Sequence, residues 1–366
     1  MNRASHVEVH NRLKQMKTGR TLTEMAQALE MQQALKKDYV ADTRALEMTD
    51  AGQLAISGSS AQPFDLTPHA HRQIGDRIGI PAKYYDRMRI EAPELLQMNV
   101  NHWFQNNPEQ RLIRTLGSSA RAFLSRRYRR LDNFDLADVV LPTLLQMDGA
   151  QVMSCELTET RMYIKVVTAK VQADVKVGDP VQAGVCISNS EIGLGSLRIE
   201  PLIYRLICTN GMVTPDRSAR NRFTHLGRAA ANTPDAYELF SDQTLAADNA
   251  AFFLKVQDLV RDAVDRTKFE ALVAQMQATT ERRIEGNPVK AVELLSDKFK
   301  LQQGERSGVL QHLIQGGDLS QWGLLNAVTR TAQDVESYDR ATELEELGAQ
   351  VMSLPSAQWK QLATAI

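Results

Sequence analysis

Thr160-Arg-Met-Tyr-Ile-Lys-Val-Val167 decides the fold class. In an extended chain Met162, Ile164 and Val166 point one way, and Arg161, Tyr163 and Lys165 the other. Val181–Ser188 and Ser196–Ile207 are further strand candidates, separated by the turn-rich Asn189-Ser-Glu-Ile-Gly-Leu-Gly195. Asp148-Gly149, Gly178-Asp179 and Asn210-Gly211 mark turns. Most gaps are too short for parallel crossovers, so a mostly antiparallel sheet is expected from about 111 to 212. The exception is 131–147, long enough for a helix between strands.

On either side the pattern becomes helical. Residues 20–37 carry Leu22, Met25, Ala26 and Leu29 at helical spacing. Thr67-Pro68 opens a helical unit that runs to about Met98, with new starts near Pro81 and Pro93. Beyond 236 the chain reads as helix to its end: Asn287-Pro288 starts one helix, and Asp318 or Ser320 caps another through Asn326-Ala-Val-Thr-Arg-Thr. The expected class is α+β: a central, mostly antiparallel sheet with an N-terminal helical unit and a helical C-terminal region. Four segments follow: 1–60 (helix and short strands), 61–212 (α+β core), 213–236 (basic flexible loop) and 237–366 (helical).

The 366 residues have a formal net charge of -1 and an ordinary soluble composition, 43% hydrophobic and 24% charged. No apolar run reaches the roughly 18–20 residues of a membrane span, and the polar N-terminus has no apolar secretion core. Cys155, Cys186 and Cys208 are too few and too far apart for a disulfide framework or a zinc ribbon. A cytoplasmic chain without metal, cofactor or membrane is expected.

Against that neutral background, RLIRTLGSSARAFLSRRYRR (111–130) holds seven arginines and no acid. Guanidinium forks suit phosphate, and neighbouring aromatics suit stacked bases. On one reading Arg114, Arg121, Arg126, Arg127, Arg129 and Arg130, continued by Arg161 and Lys165, hold the phosphates of a single strand, with Tyr128 and Tyr163 stacking on bases. On the other, these cations pair with Asp132, Asp135, Asp138 and the acidic stretch 331–350, where six acids face one base. Strand alternation prevents all seven arginines from sharing one face. A second basic group, with Arg220 and Arg222, lies in the loop near 214–236.

Other constellations carry less. Ser188–Ser196 holds Gly-Leu-Gly, either a phosphate cradle built of backbone N–H groups or a tight turn. Glu156, Glu191 and Glu200 would serve a metal-dependent nuclease, but no spacing ties them together. No nucleophile elbow, metalloprotease or nucleotide-binding loop motif is present, and no catalytic residue is assigned.

The stretch from Phe64 to Met212 resembles the family called domain of unknown function 932, described as phage- or plasmid-like. The resemblance is carried by Ile78-Gly-Ile-Pro-Ala-Lys-Tyr-Tyr-Asp-Arg-Met88, Arg114-Thr-Leu-Gly117, Arg121-Ala-Phe-Leu-Ser-Arg-Arg-Tyr128 and Leu131-Asp-Asn-Phe-Asp135. Ser188-Asn-Ser-Glu-Ile-Gly-Leu-Gly-Ser196 and Arg205-Leu-Ile-Cys-Thr-Asn-Gly-Met212 add to it, as does Asn326-Ala-Val-Thr-Arg330 in the helical C-terminal part. It implies a setting on mobile elements, where ATP-independent single-strand annealing proteins work as homo-oligomers. The leading expectation is a non-enzymatic single-stranded-DNA-binding protein of that kind. The alternatives are a metal-dependent nuclease and a regulatory module that binds another protein.

Overall fold

Gly117, with φ of 56°, turns Gln110–Leu116 (β5) back into Ser119–Ser125 (β6). This arginine-bearing hairpin uses both of its edges. β5 pairs antiparallel with Lys36–Asp42 (β1), and β6 pairs parallel with Asp65–Leu66 (β4). β4 takes only Ser119 and Ala120; beyond them the Thr67 hydroxyl and the Gln73 side chain bond the β6 backbone at Arg121 and Phe123, and the single sheet expected over 111–212 resolves into two. The computed structural model describes residues 19–59, 61–126, 128–214 and 242–366. Three helices, Pro68–Ile78 (α2), Ala82–Glu91 (α3) and Pro93–Asn106 (α4), cover one face of the first sheet. They bury Ile74, Met88, Leu96, Val100 and Phe104 against Ile113 and Phe123. A small hairpin of Leu46–Met48 (β2) and Leu54–Ile56 (β3) closes this unit.

The second sheet is a meander of five consecutive antiparallel strands: Ala150–Leu157 (β7), Met162–Lys176 (β8), Asp179–Asn189 (β9), Arg198–Arg205 (β10) and Asn210–Val213 (β11). Met162, Ile164 and Val166 share one face with Val185 and Ile187. That face packs on Leu22–Leu35 (α1), Asn133–Leu145 (α5) and Asp242–Ala263 (α6). Each such buried aliphatic side chain contributes about 1.5–3 kcal/mol. The alternation read from the sequence is therefore present. Its polar face is not a solvent face, however, because Tyr338–Met352 (α11) lies across it. Lys165, only 2% exposed, places its ammonium 2.6 Å from Glu345, 3.1 Å from Thr342 and 4.7 Å from the centre of the Tyr338 ring. Tyr163 packs against the same ring.

The remaining helices, Arg266–Thr280 (α7), Pro288–Phe299 (α8), Gln303–Gly316 (α9), Gln321–Thr331 (α10) and Ser356–Ala363 (α12), form one core with the far end of the sheet. Their starts follow the expected signals. The Asn287 side chain accepts from Val289 N–H with Pro288 in the first turn, and Ser320 caps α10 by accepting from Gly323 N–H at 3.1 Å. Asp179, 1% exposed, joins sheet to helix: Arg205 clasps it at 2.6 and 2.7 Å, and the Trp322 indole N–H donates to it at 2.9 Å. Asn210 beside it reaches Thr329 and Asn326 of α10. Asn210-Gly211 is consequently strand and not the expected turn. The chain reverses over 206–209, where Thr209 takes a φ of 51°.

Two buried groups make the fold testable. His71 of α2 shares a 3.0 Å hydrogen bond with the Tyr85 hydroxyl of α3, and burial, helped by nearby Arg89, pushes its pKa down to about 4. An unfolded histidine titrates near 6.5, so the unfolded chain binds the extra proton between these values and stability falls as pH drops through that window. The loss should approach about 3 kcal/mol, and His71→Gln should flatten this segment in urea melts collected from pH 7 to pH 4. At the other buried site, Lys165→Met strands the Glu345 carboxylate and should cost about 3–5 kcal/mol. Adding Glu345→Leu should restore most of that loss, as read from the urea midpoints of the single and double variants.

Candidate binding cleft between the two sheets

Arg114 lies at the centre of the junction between the sheets and is 2% exposed. Its guanidinium meets Asp38 of β1 at 3.0 Å, Asp132 just before α5 at 2.5 Å, and the carbonyl of Glu191 after β9 at 3.0 Å. Lys36 bridges Asp132 at 2.7 Å and the Glu191 carboxylate at 3.3 Å. The Asn133 N–H donates to Glu191 at 2.7 Å, and Arg121 reaches the other carboxylate oxygen at 3.3 Å. Burial works against the charge on Arg114, but Asp132 and Asp38 outweigh it and raise its pKa. For Asp132, burial likewise opposes ionisation, and Arg114 and Lys36 overcome it, holding the carboxyl below its usual range.

The loop after β9 closes this junction through its carbonyl oxygens. Tyr128 donates to Ser190 at 3.0 Å, Arg114 to Glu191, His69 and Gln73 both to Ile192 at 2.9 Å, and Arg161 to Leu194 at 2.5 Å. A phosphate cradle would turn N–H groups toward its ligand. Of the two readings of this segment, these contacts are those of a turn anchored by its acceptors. Gly193, at φ of 82°, lies so close to β6 that a Cβ there would meet Leu124 at 2.6 Å.

Beside the loop opens a cleft of about 530 Å³. Its floor is the start of α2, where Thr67 accepts from Ala70 N–H and donates to the Arg121 carbonyl at 3.2 Å, fixing the helix end to β6. Leu116 and Ser119 of the arginine hairpin, the β7–β8 turn Leu157–Thr160, and Ile192 with Leu194 complete the walls. Asp339 of α11 holds that turn by accepting from Thr160 at 2.7 Å. Arg121 and Arg72 border the space. Arg72 is exposed and makes no ion pair with any described residue. His69 spends its Nε2–H on the Ile192 carbonyl, and burial lowers its pKa, leaving a neutral ring with Nδ1 to offer. Apolar side chains in the walls and the Arg72 guanidinium at the border suit a flat, partly apolar body carrying an anionic group, while Glu159 adds one carboxylate to the lining and Arg121 is paired with Glu191.

The expected strand-binding residues divide sharply. Arg114, Tyr163 and Lys165 are buried in the interior, so none can meet a strand as the sequence led us to expect. Tyr128 anchors the loop, and Arg161 both anchors it and stands partly open beside the turn. Arg129 lies over the Phe252 ring at 4.3 Å and pairs with Asp248 at 3.3 Å. Arg121 borders the cleft, Arg126 is exposed after β6, and Arg130 keeps about half its side chain open while pairing with Asp38 at 3.4 Å. Arg127, Arg220 and Arg222 lie outside the described residues. Glu156 pairs with Arg20, Glu191 is part of the junction, and Glu200 lies 3.7 Å from Arg198. Among the described residues no three His, Cys, Asp or Glu side chains gather to hold a metal ion. No helix among them is long and apolar enough to cross a membrane.

Arg72 and His69 were missed in the sequence, although a signal was there. The first turn of α2 contains no acidic residue, contrary to the usual bias at a helix N-terminus, and basic side chains take its place. The segments that carried the resemblance meet in space: Arg114, Arg121, Leu131–Asn133 and Ser188–Ser196 at the junction, Arg205–Met212 and Asn326–Arg330 at the far end.

Comparison with curated proteins finds no match, and comparison with solved structures finds none either. A family model described as Domain of unknown function (DUF932) matches residues 122–353, from the second strand of the arginine hairpin to the end of α11. That span takes in the meander, the anchored loop and the helix over its polar face, while Arg114 and the start of α2 precede it. With well over half of its length so matched, the chain belongs to the DUF932 family.

Proposed function

We propose that the protein binds single-stranded nucleic acid across the cleft between its two sheets. The observation that carries this reading is the pairing of apolar walls with Arg72 and Arg121 at the border of a space large enough for a nucleotide. A strand binder needs this combination, because bases stack on or pack against apolar surface while the backbone tracks cations. Arg161, bonded to the Leu194 carbonyl, extends the basic rim outward from the cleft, and the exposed Arg126 and Arg130 would meet the strand beyond it. Arg114 drops out of the block by burial and Arg129 by its contacts with Asp248 and Phe252, while Arg127 lies outside the described residues. Annealing of complementary strands without nucleotide hydrolysis, assembly into homo-oligomers, and a role on phage or plasmid elements belong to the same proposal. The resemblance stated above supports that part.

Fluorescence anisotropy with a labelled oligo(dT) tests it. Binding should weaken steeply between 50 and 200 mM salt and depend little on base sequence. Arg72→Ala should reduce affinity about tenfold with an unchanged melting temperature, since one phosphate contact contributes roughly 1–1.5 kcal/mol. Arg114→Ala should act the other way round, lowering stability by about 3 kcal/mol, because Lys36 and Arg130 alone then balance the acids that Arg114 shares with them. Absence of binding at 50 mM salt would overturn the proposal, as would an affinity unaltered by Arg72→Ala together with Arg121→Ala.

A further inference from the structure

Arg72 borders two spaces, not one. On the far side of its side chain lies a second pocket of about 250 Å³, and Pro68 and Arg72 line both. The second pocket runs along the outer face of α2 toward the start of α3 and is walled by Ile80, Ala82 and Tyr85. Its charges differ from those of the cleft. Arg72 and Arg89 are offset there by Asp76 and Asp86, so it offers no net attraction for a phosphate. What it offers is shape: Ile80, Ala82 and the Tyr85 ring wall a space of the size of a base.

We infer that the cleft and this pocket form one groove for two successive nucleotides, with the phosphate between them on Arg72. The inference rests on the nucleic-acid reading of the cleft and adds a register to it. One nucleoside lies between the β7–β8 turn and the anchored loop. The shared phosphate crosses the α2 face at Arg72. The next base enters the smaller pocket, over Tyr85 and Ile80. The ring hydroxyl of Tyr85 is already bonded to His71, which fixes the floor of that pocket before any ligand arrives.

The register can be read with two ligands that each carry one phosphate, thymidine 5′-monophosphate and the dinucleotide dTpdT, competing against labelled oligo(dT). The dinucleotide should compete about tenfold better than the mononucleotide. Ala82→Trp fills the smaller pocket from an exposed helix start, and should abolish that advantage while leaving the mononucleotide unaffected. Ala82→Glu, which adds a negative charge at the same place, should do the same and serves if the larger side chain impairs folding. Arg72→Ala should weaken both ligands. Oligo(dT) binding with equal competition by the two ligands, or with a dinucleotide advantage that survives both Ala82 variants, overturns the two-pocket register and leaves the nucleic-acid reading standing. If oligo(dT) itself does not bind, the nucleic-acid reading fails and the register with it.

Discussion

A buried guanidinium lies where the two halves of this protein meet. Arg114 leaves water completely, at a desolvation cost of several kcal/mol, and recovers it from two carboxylates and a backbone carbonyl that arrive from three separate segments. Asp38 comes from a strand of the first sheet, Asp132 from the start of the connecting helix, and Glu191 from the loop leaving the third strand of the meander. None of these segments can shift alone without stranding a charge. Beside this charge network a small apolar cluster crosses the same junction, with Leu112, Ala122 and Leu124 of the first sheet packed on Ile192 of the loop after β9.

The same economy recurs on the meander. Lys165 and Arg198 project from its polar face, and Glu345 and Glu346 of the overlying helix neutralise them at 2.6 Å each. The arginine block, in contrast, finds its acids near at hand in the fold: Glu109, Asp38, Asp132, Glu191 and Asp248, none of them in the acidic end. Of the arginine block itself, Arg126 and Arg130 are exposed among the described residues, so it is not the broad basic surface that the sequence suggests.

Much of the architecture is legible in the sequence because its signals are local. The period-two alternation of Met162–Val166, the Thr67-Pro68 and Asn287-Pro288 starts and the helix bridging 131–147 each follow from residues within a few positions of one another. The partner of a buried charge is not local: Arg114 and Glu191 are 77 residues apart, and Lys165 and Glu345 are 180. Alternation shows that Lys165 points away from Ile164. It cannot tell whether the space beyond holds water or a helix. The division of the strands between two sheets was hidden for a related reason, since the edge of β5 is taken by β1, more than 70 residues earlier in the chain.

The anchored loop after β9 also makes the cleft and the junction one thermodynamic object. Its Glu191 carbonyl seals Arg114, and its Ile192 and Leu194 form one wall of the cleft, while α2 of the first sheet's layer provides the floor. Whatever occupies the cleft touches both layers at once, so its binding free energy adds to their adhesion. By linkage, a ligand at about one hundred times its Kd would add roughly 2.7 kcal/mol to the resistance of the whole chain to unfolding. The melting temperature of this protein is therefore an assay in its own right, able to register an occupant of the cleft before its chemistry is known.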